Sequence, residues 1–243
     1  MMSNMVNREK IWQLFFKKKG LIKYTSHRDL ITSFYIGIVR AALPVIYTEG
    51  FSKKPKVVFG PALALGVASE CEIANVYIKS EAEFDEKEIL NKLNSSMTSG
   101  YEFYGVKEFA VLKDADSAIE KIKAFSYRYE LSFTENDNIK QPADFDPAGL
   151  LAFIKANIGG FMAAGEFMAD HNAKLKNIRP YVNKLEIKET KISERGLELA
   201  LDVEMLTMNN SSIKPHLLFQ ALLGADFKKL IYDYNILKTA NIY

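Results

Sequence analysis

Trp12-Gln13-Leu14-Phe15-Phe16-Lys17-Lys18-Lys19-Gly20 and, after three intervening residues, Tyr24-Thr25-Ser26-His27-Arg28-Asp29-Leu30 carry the reading on which the fold turns. Trp12, Leu14 and Phe16 alternate with Gln13, Phe15 and Lys17, the period of two expected of a strand with one face buried. The strand is expected to run into a basic turn at Lys17-Lys18-Lys19-Gly20 and to resume toward Tyr24. Ser26 then has the chemistry of a helix N-cap, and Asp29, three residues on, stands where a capping box places a carboxylate. Leu30, Phe34, Ile38 and Ala41 follow at helical spacing, and Pro44 is expected to stop the helix.

The same grammar extends outward. Lys56-Val57-Val58-Phe59 and Val76-Tyr77-Ile78 are short, β-branched and apolar, and predict two strands. Asp85 and Glu88 predict a second cap, followed by a helix through Ile89, Leu90 and Leu93 that ends near Gly100. Tyr101 to Leu112 predicts a fourth strand. The order is strand, helix, strand, strand, helix, strand, and the second half repeats it. Tyr127, Tyr129, Leu131 and Phe133 alternate as a half-buried strand, and Asp146-Pro147 opens a helix through Leu150, Leu151 and Ile154. Leu185 to Ile187 and Leu197 to Val203 form a hairpin about Ser193-Glu194-Arg195-Gly196. Pro215 opens a helix with Leu218, Phe219 and Leu222 that closes at Gly224, and Leu230, Tyr232, Tyr234 and Ile236 form a last strand. Gly159 to Asn177 fits no element well and reads as a mobile insertion or a short extra helix. The expected class is α+β: two tandem ferredoxin-like β-α-β-β-α-β units with antiparallel sheets, at residues 1–118 and 119–243.

Composition narrows the chemistry. The 243 residues are 48% hydrophobic and 26% charged, ordinary values for a folded protein. There is no apolar run of membrane-spanning length and no apolar segment in Met1–Lys10, so a cytoplasmic chain without membrane contact is expected. Cys71 is a single thiol between Glu70 and Glu72, which disfavour its thiolate, and His27, His171 and His216 are far apart. Neither a metal nor a cofactor is expected. Gly50, Gly60 and Gly66 lack the Gly-Lys-Ser/Thr of a phosphate-binding loop, and no nucleophile elbow or paired-histidine zinc motif occurs. The net charge of +2 conceals an imbalance: residues 1–60 hold eleven Lys and Arg against three acids, and the remainder is net negative. A basic end on a near-neutral chain suggests an anionic partner, although a solvated lysine-rich face has the same composition.

The densest information lies between Tyr24 and Glu72. Ser26-His27-Arg28-Asp29-Leu30, Arg40-Ala41-Ala42-Leu43-Pro44, Tyr47-Thr48-Glu49-Gly50-Phe51, Pro55-Lys56, Leu65-Gly66 and Ser69-Glu70-Cys71-Glu72 follow one another in register. This run resembles the radical-SAM-linked family of uncharacterised proteins, whose members occur beside, or fused to, cobalamin-binding-type radical SAM proteins. The resemblance covers about fifty residues tightly, and the rest by element order. Arg28 stands where the family prefers leucine, Ser52-Lys53 replaces Asn-Pro, and Asn75 replaces an acid. The three-cysteine cluster of a radical SAM enzyme is absent from this chain, so a separate radical SAM protein is the partner that the resemblance implies.

Two sets of residues are candidates for function. Arg28, Arg40, Lys53, Lys54 and Lys56, with Tyr47 and Phe51, combine cations and rings as proteins that bind single-stranded RNA do; a lysine-rich loop with its aromatics in the core is the plainer reading. His27 and Asp29 are the catalytic candidates, since an imidazole titrates near neutral pH; as plain structure they cap and brace the helix. The expected function is an RNA-associated accessory protein of a radical SAM system. The alternatives are a protein–protein adaptor for such an enzyme and a metal-independent ribonuclease using His27.

Overall fold

The computed structural model describes residues 9–110, 114–115, 119–134, 144–171, 174–208, 212–224 and 233–243. The chain is a mixed α and β protein with mostly antiparallel strand pairing, and it divides between Ile122 and Lys123 into two compact units.

In the first unit β1 (Glu9–Lys18), α1 (His27–Arg40), β2 (Val57–Phe59), β3 (Val67–Lys79), α2 (Glu86–Ser96) and β4 (Tyr101–Phe109) follow in that order. The strands lie side by side as β4-β1-β3-β2, with Trp12 opposite both Val76 and Glu108. The alternation in β1 turns Trp12, Leu14 and Phe16 inward, where they meet Leu30, Phe34 and Ile38 of α1 and Ile89 and Leu93 of α2. Phe16 is the centre of this core, with the rings of Phe34 and Phe103 each 5.3 Å away. Burial of such side chains supplies about 1.5–3 kcal/mol apiece. On the other face Gln13 is buried, and its amide nitrogen donates to Asn75 Oδ1 at 2.9 Å. An amide at position 75 can therefore meet its neighbour without burying a charge.

The capping box at Ser26 forms. Ser26 Oγ accepts from the Asp29 amide at 3.2 Å, and the Ser26 amide donates to Asp29 Oδ2 at 3.0 Å. Hydrogen bonds from the Ser26 hydroxyl and then its amide hold the Asp29 carboxyl below its ordinary value. Ser26→Ala is expected to lower stability by about 1 kcal/mol, read as a fall in the urea midpoint with an unchanged slope.

Four expectations for this unit need correction. The first strand does not resume toward Tyr24: Gly20 has φ +60°, a left-handed turn, and Gly20–Tyr24 is a 3-10 turn. Pro44 does not stop α1. The helix ends at Arg40, and Ala42 at φ +50° has already turned the chain away. The third strand is much longer than Val76–Ile78. It starts at Val67, and its polar first half hides in the sequence because burial there does not alternate. The fourth strand ends at Phe109, and Leu112 lies outside the described residues.

The second unit comprises β5 (Ala124–Ser132), α3 (Pro147–Ala163), β6 (Met168–His171), β7 (Lys174–Asn177), β8 (Val182–Ser193), β9 (Gly196–Leu206), α4 (Leu218–Leu223) and β10 (Asp233–Ile242). Four strands lie in the order β10-β5-β9-β8, and β6 pairs with β7 apart from them. Asp146 caps α3 by accepting from the Ala148 amide at 3.1 Å, with Pro147 in the first turn. Tyr129 is fully buried and donates its hydroxyl to Pro215 O at 2.8 Å. The Gly159–Asn177 segment is neither an insertion without structure nor an extra helix. α3 runs through Gly159 and Gly160 to Ala163, and Met168–His171 pairs with Lys174–Asn177. The last strand starts at Asp233 and runs to Ile242, later than expected; Leu230 and Tyr232 lie outside the described residues.

Candidate functional site

The chain between α1 and β2 forms a narrow two-stranded ladder. Tyr47 is bridged to Pro55, the Thr48 amide donates to Lys54 O at 2.8 Å, and the Lys56 amide donates to Ile46 O at 2.7 Å. Its base is held on β3, where the Ile46 amide donates to Tyr77 O and the Tyr77 amide to Lys56 O. The tip, Glu49 to Lys53, turns at Gly50 with φ +116°, a conformation that favours glycine. Phe51 at the tip is fully exposed, and Tyr47 is 42% exposed. Phe51 is the most exposed of the large apolar side chains among the described residues. Lys53 and Lys54 are exposed beside it, and among the described residues no carboxylate lies within ion-pair distance of either. Lys56 differs: its ammonium lies 3.0 Å from Glu9 Oε2 and 4.1 Å from the centre of the Tyr77 ring.

A second cluster lies at the other end of α1. Lys18 is 1% exposed, and its ammonium donates to Thr25 O at 2.9 Å. Glu72 is buried and accepts from the fully buried Ser69 hydroxyl at 2.7 Å. Burial pushes the Lys18 ammonium below its ordinary value, while the Glu72 and Asp29 carboxylates act the other way. His27 is half-buried, its ring edge-on to Phe59 at 5.8 Å. Burial likewise lowers the His27 pKa, Glu72 opposes this, and Lys18 adds to it. The segments around Ser26-His27 and Ser69-Glu72 thus meet here, around a lysine that neither segment contains.

His27 has a measurable signature. Its folded pKa lies below the unfolded value of about 6.5, so the unfolded chain takes the proton first on acidification. This contribution to stability is present above about pH 6.5 and is lost as pH falls from there toward the folded pKa. His216, also with a pKa lowered by burial, acts in the same direction. The urea midpoint is expected to fall between about pH 7.5 and 5.5, by less in His27→Gln than in the wild type. An equal fall in both would remove His27 from this account.

The candidate residues therefore do not form one surface. Tyr47, Phe51, Lys53, Lys54 and Lys56 share one hairpin, with Arg40 a few residues before it at the end of α1. His27, Arg28 and Asp29 stand at the start of α1, about 20 Å away along a helix rising about 1.5 Å per residue. Asp29 is engaged by Ser26 and forms no pair with His27 among the hydrogen bonds of the described residues. Much of the amino-terminal charge is neutralised locally. Lys10 lies 2.8 Å from Glu108, Lys17 lies 3.5 Å from Glu102, and Lys19 lies 3.6 Å from Glu102 and 3.9 Å from Glu70. Lys18, read as part of a basic turn, is interior. The signal was present in the alternation Trp12, Leu14, Phe16, whose next inward position is 18.

Among the described residues no group of His, Cys, Asp and Glu is placed to hold a metal, and no helix is long and apolar enough to cross a membrane. No curated protein matches the chain. A solved chain in a crystal structure of a Cbf5-Nop10-Gar1 complex is similar at 12% identity and a TM-score of 0.41. That match covers 95% of this chain and 48% of the other, so this chain spans about half the length of that structural neighbour. A family model described as "Uncharacterized protein conserved in bacteria (DUF2344)" matches residues 12–215, which include both the hairpin and the Lys18 cluster. The chain belongs to this bacterial family.

Proposed function

We propose that this chain is an RNA-binding accessory protein working in the cytoplasm beside a separate radical SAM protein, with each unit a ferredoxin-like β-α-β-β-α-β domain. The strand orders β4-β1-β3-β2 and β10-β5-β9-β8 support the ferredoxin-like assignment. The motif run from Ser26 to Glu72 supports the radical SAM link. The observation that carries RNA binding is the fully exposed Phe51 ring at the tip of a hydrogen-bonded ladder, beside Lys53 and Lys54. A ring on an anchored hairpin can stack on an unpaired base while ammonium groups meet the flanking phosphates. Preorganisation reduces the ordering cost of that contact.

The adaptor reading has one observation in its favour. Leu21, Tyr24 and Leu65 are 85%, 60% and 59% exposed on two loops joined by the hydrogen bond from the Gly66 amide to Lys23 O. The ribonuclease reading is weakened by the commitment of Asp29 to the helix cap.

A salt titration of binding to single-stranded RNA separates these readings. RNA binding weakens with ionic strength in proportion to the phosphates contacted, with a logarithmic slope of about −0.7 per contact. Lys53→Ala with Lys54→Ala is expected to reduce that slope by about 1.4. Wild-type protein without salt-dependent RNA binding would exclude the RNA reading. RNA cleavage abolished by His27→Ala would replace it with the nuclease.

A further inference from the structure

A methionine sulfur lies where the two helices of the first unit meet. α2 ends at Ser96, and Met97 follows as its C-cap, with extended backbone and its amide donating to Leu93 O at 3.0 Å. The Met97 side chain lies against α1 at the buried Gly37. A Cβ at position 37 would overlap Met97 Sδ and stand 2.7 Å from Met97 Cε. Glycine is disfavoured inside a helix, and here its missing side chain leaves the space that the thioether occupies.

Two further features set this sulfur apart. Met97 packs against the core that contains Phe16, Phe34 and Leu93, yet the residue is only partly buried, so one side of it is open to solvent. Among the described residues it is also the only methionine of the first unit. Met162, Met168, Met205 and Met208 belong to the second, where Met168 and Met208 are exposed and Met205 is buried.

We propose that Met97 is a reversible oxidation site, at which hydrogen peroxide forms a sulfoxide that loosens α1 from α2. One peroxide oxygen bonds to the sulfur, the O–O bond breaks, and the other oxygen leaves as water. The sulfur is oxidised by two electrons and the peroxide is reduced by two. The product is polar where the thioether was apolar. Its oxygen either enters the contact with Gly37 or draws the side chain out of that space, and in both cases the close apolar contact between the helices is lost. A methionine sulfoxide reductase with a thiol reductant removes the oxygen again. α1 starts at His27 and leads, beyond Arg40, into the 45–56 ladder, so both candidate clusters adjoin the helix that Met97 packs against. The oxidation does not depend on what that ladder binds.

The test uses the full chain treated with increasing hydrogen peroxide, with peptide mass spectrometry giving the fraction of sulfoxide at each methionine. Trp12 is the only tryptophan of the chain and lies in the core against which Met97 packs, so its fluorescence reports unfolding of the first unit. The urea midpoint read at Trp12 is expected to fall by about 0.5–1 M when Met97 is converted, and to recover after treatment with the reductase. Met97→Leu keeps a similar volume and has no sulfur at this position. Its midpoint is expected to be unmoved by peroxide, although Met168 and Met208 still oxidise and the Cys71 thiol is still present. Recovery of the wild type by the reductase gives the same answer without a substitution. An unchanged wild-type midpoint with Met97 fully converted would overturn the inference. So would a fall of equal size in Met97→Leu, or a Met97 that stays reduced in the folded chain at doses that convert Met168 and Met208.

Discussion

Phe51→Ala is expected to weaken binding of single-stranded RNA roughly five- to 150-fold, the range corresponding to loss of one base–aromatic stack worth about 1–3 kcal/mol. The salt slope is expected to stay at its wild-type value, because no charge is removed. Lys53→Ala/Lys54→Ala is expected to do the reverse: a reduced slope, and a loss of affinity that shrinks as salt rises. The two signatures separate stacking from phosphate contact within one hairpin. Stability is not a confounder, since Phe51 is fully exposed and removes no core packing. The measurement is equilibrium anisotropy at several salt concentrations with unfolding midpoints as controls. Phe51→Ala with wild-type affinity would leave the exposed ring without the role assigned to it, and Phe51→Trp should restore binding that alanine removes.

The second large effect concerns stability. Lys18 is buried with its ammonium on a carbonyl, and Glu72 and Asp29 are the carboxylates that act on it. Glu72→Gln removes the stronger of the two compensations and leaves a buried cation, a change of the kind that costs about 3–5 kcal/mol. Against a total of about 5–15 kcal/mol for a whole domain, that is enough to unfold a marginal one. Lys18→Met removes the cation itself and keeps the volume of the side chain. Combined with Glu72→Gln, it is expected to recover much of the loss, because two neutral groups need no mutual compensation. Urea midpoints of the wild type, the two single variants and the double variant form the cycle. Additive losses would show that Lys18 and Glu72 act independently, and the cluster would then be two separate buried groups.

Some of this architecture was legible before any coordinates. The alternation at Trp12-Leu14-Phe16, the Ser26–Asp29 capping box, the Asp146-Pro147 helix start and the Ser193–Gly196 turn each depend on neighbours within a few residues. Such local patterns are fixed by hydrogen bonds and periodicity that the sequence itself displays. The site was legible in part. Phe51, Lys53 and Lys54 form an exposed aromatic and cationic group on one hairpin, while Lys56 is paired with Glu9 and Arg28 stands at the far end of α1. The β6–β7 hairpin was missed because four-residue strands with mixed polarity have almost no period to detect.

Read alone, the chain determined where α1, α2 and α3 begin and which faces of its best strands turn inward. Tertiary structure decided that Lys18 is interior, that the Glu72 carboxylate acts on both Lys18 and His27, and that the carboxylates of Glu9, Glu102 and Glu108 neutralise lysines far from them in sequence. The reason is physical. Caps and turns are satisfied within a few residues, whereas the burial of a charge and its choice of partner depend on which distant strands the sheet brings side by side.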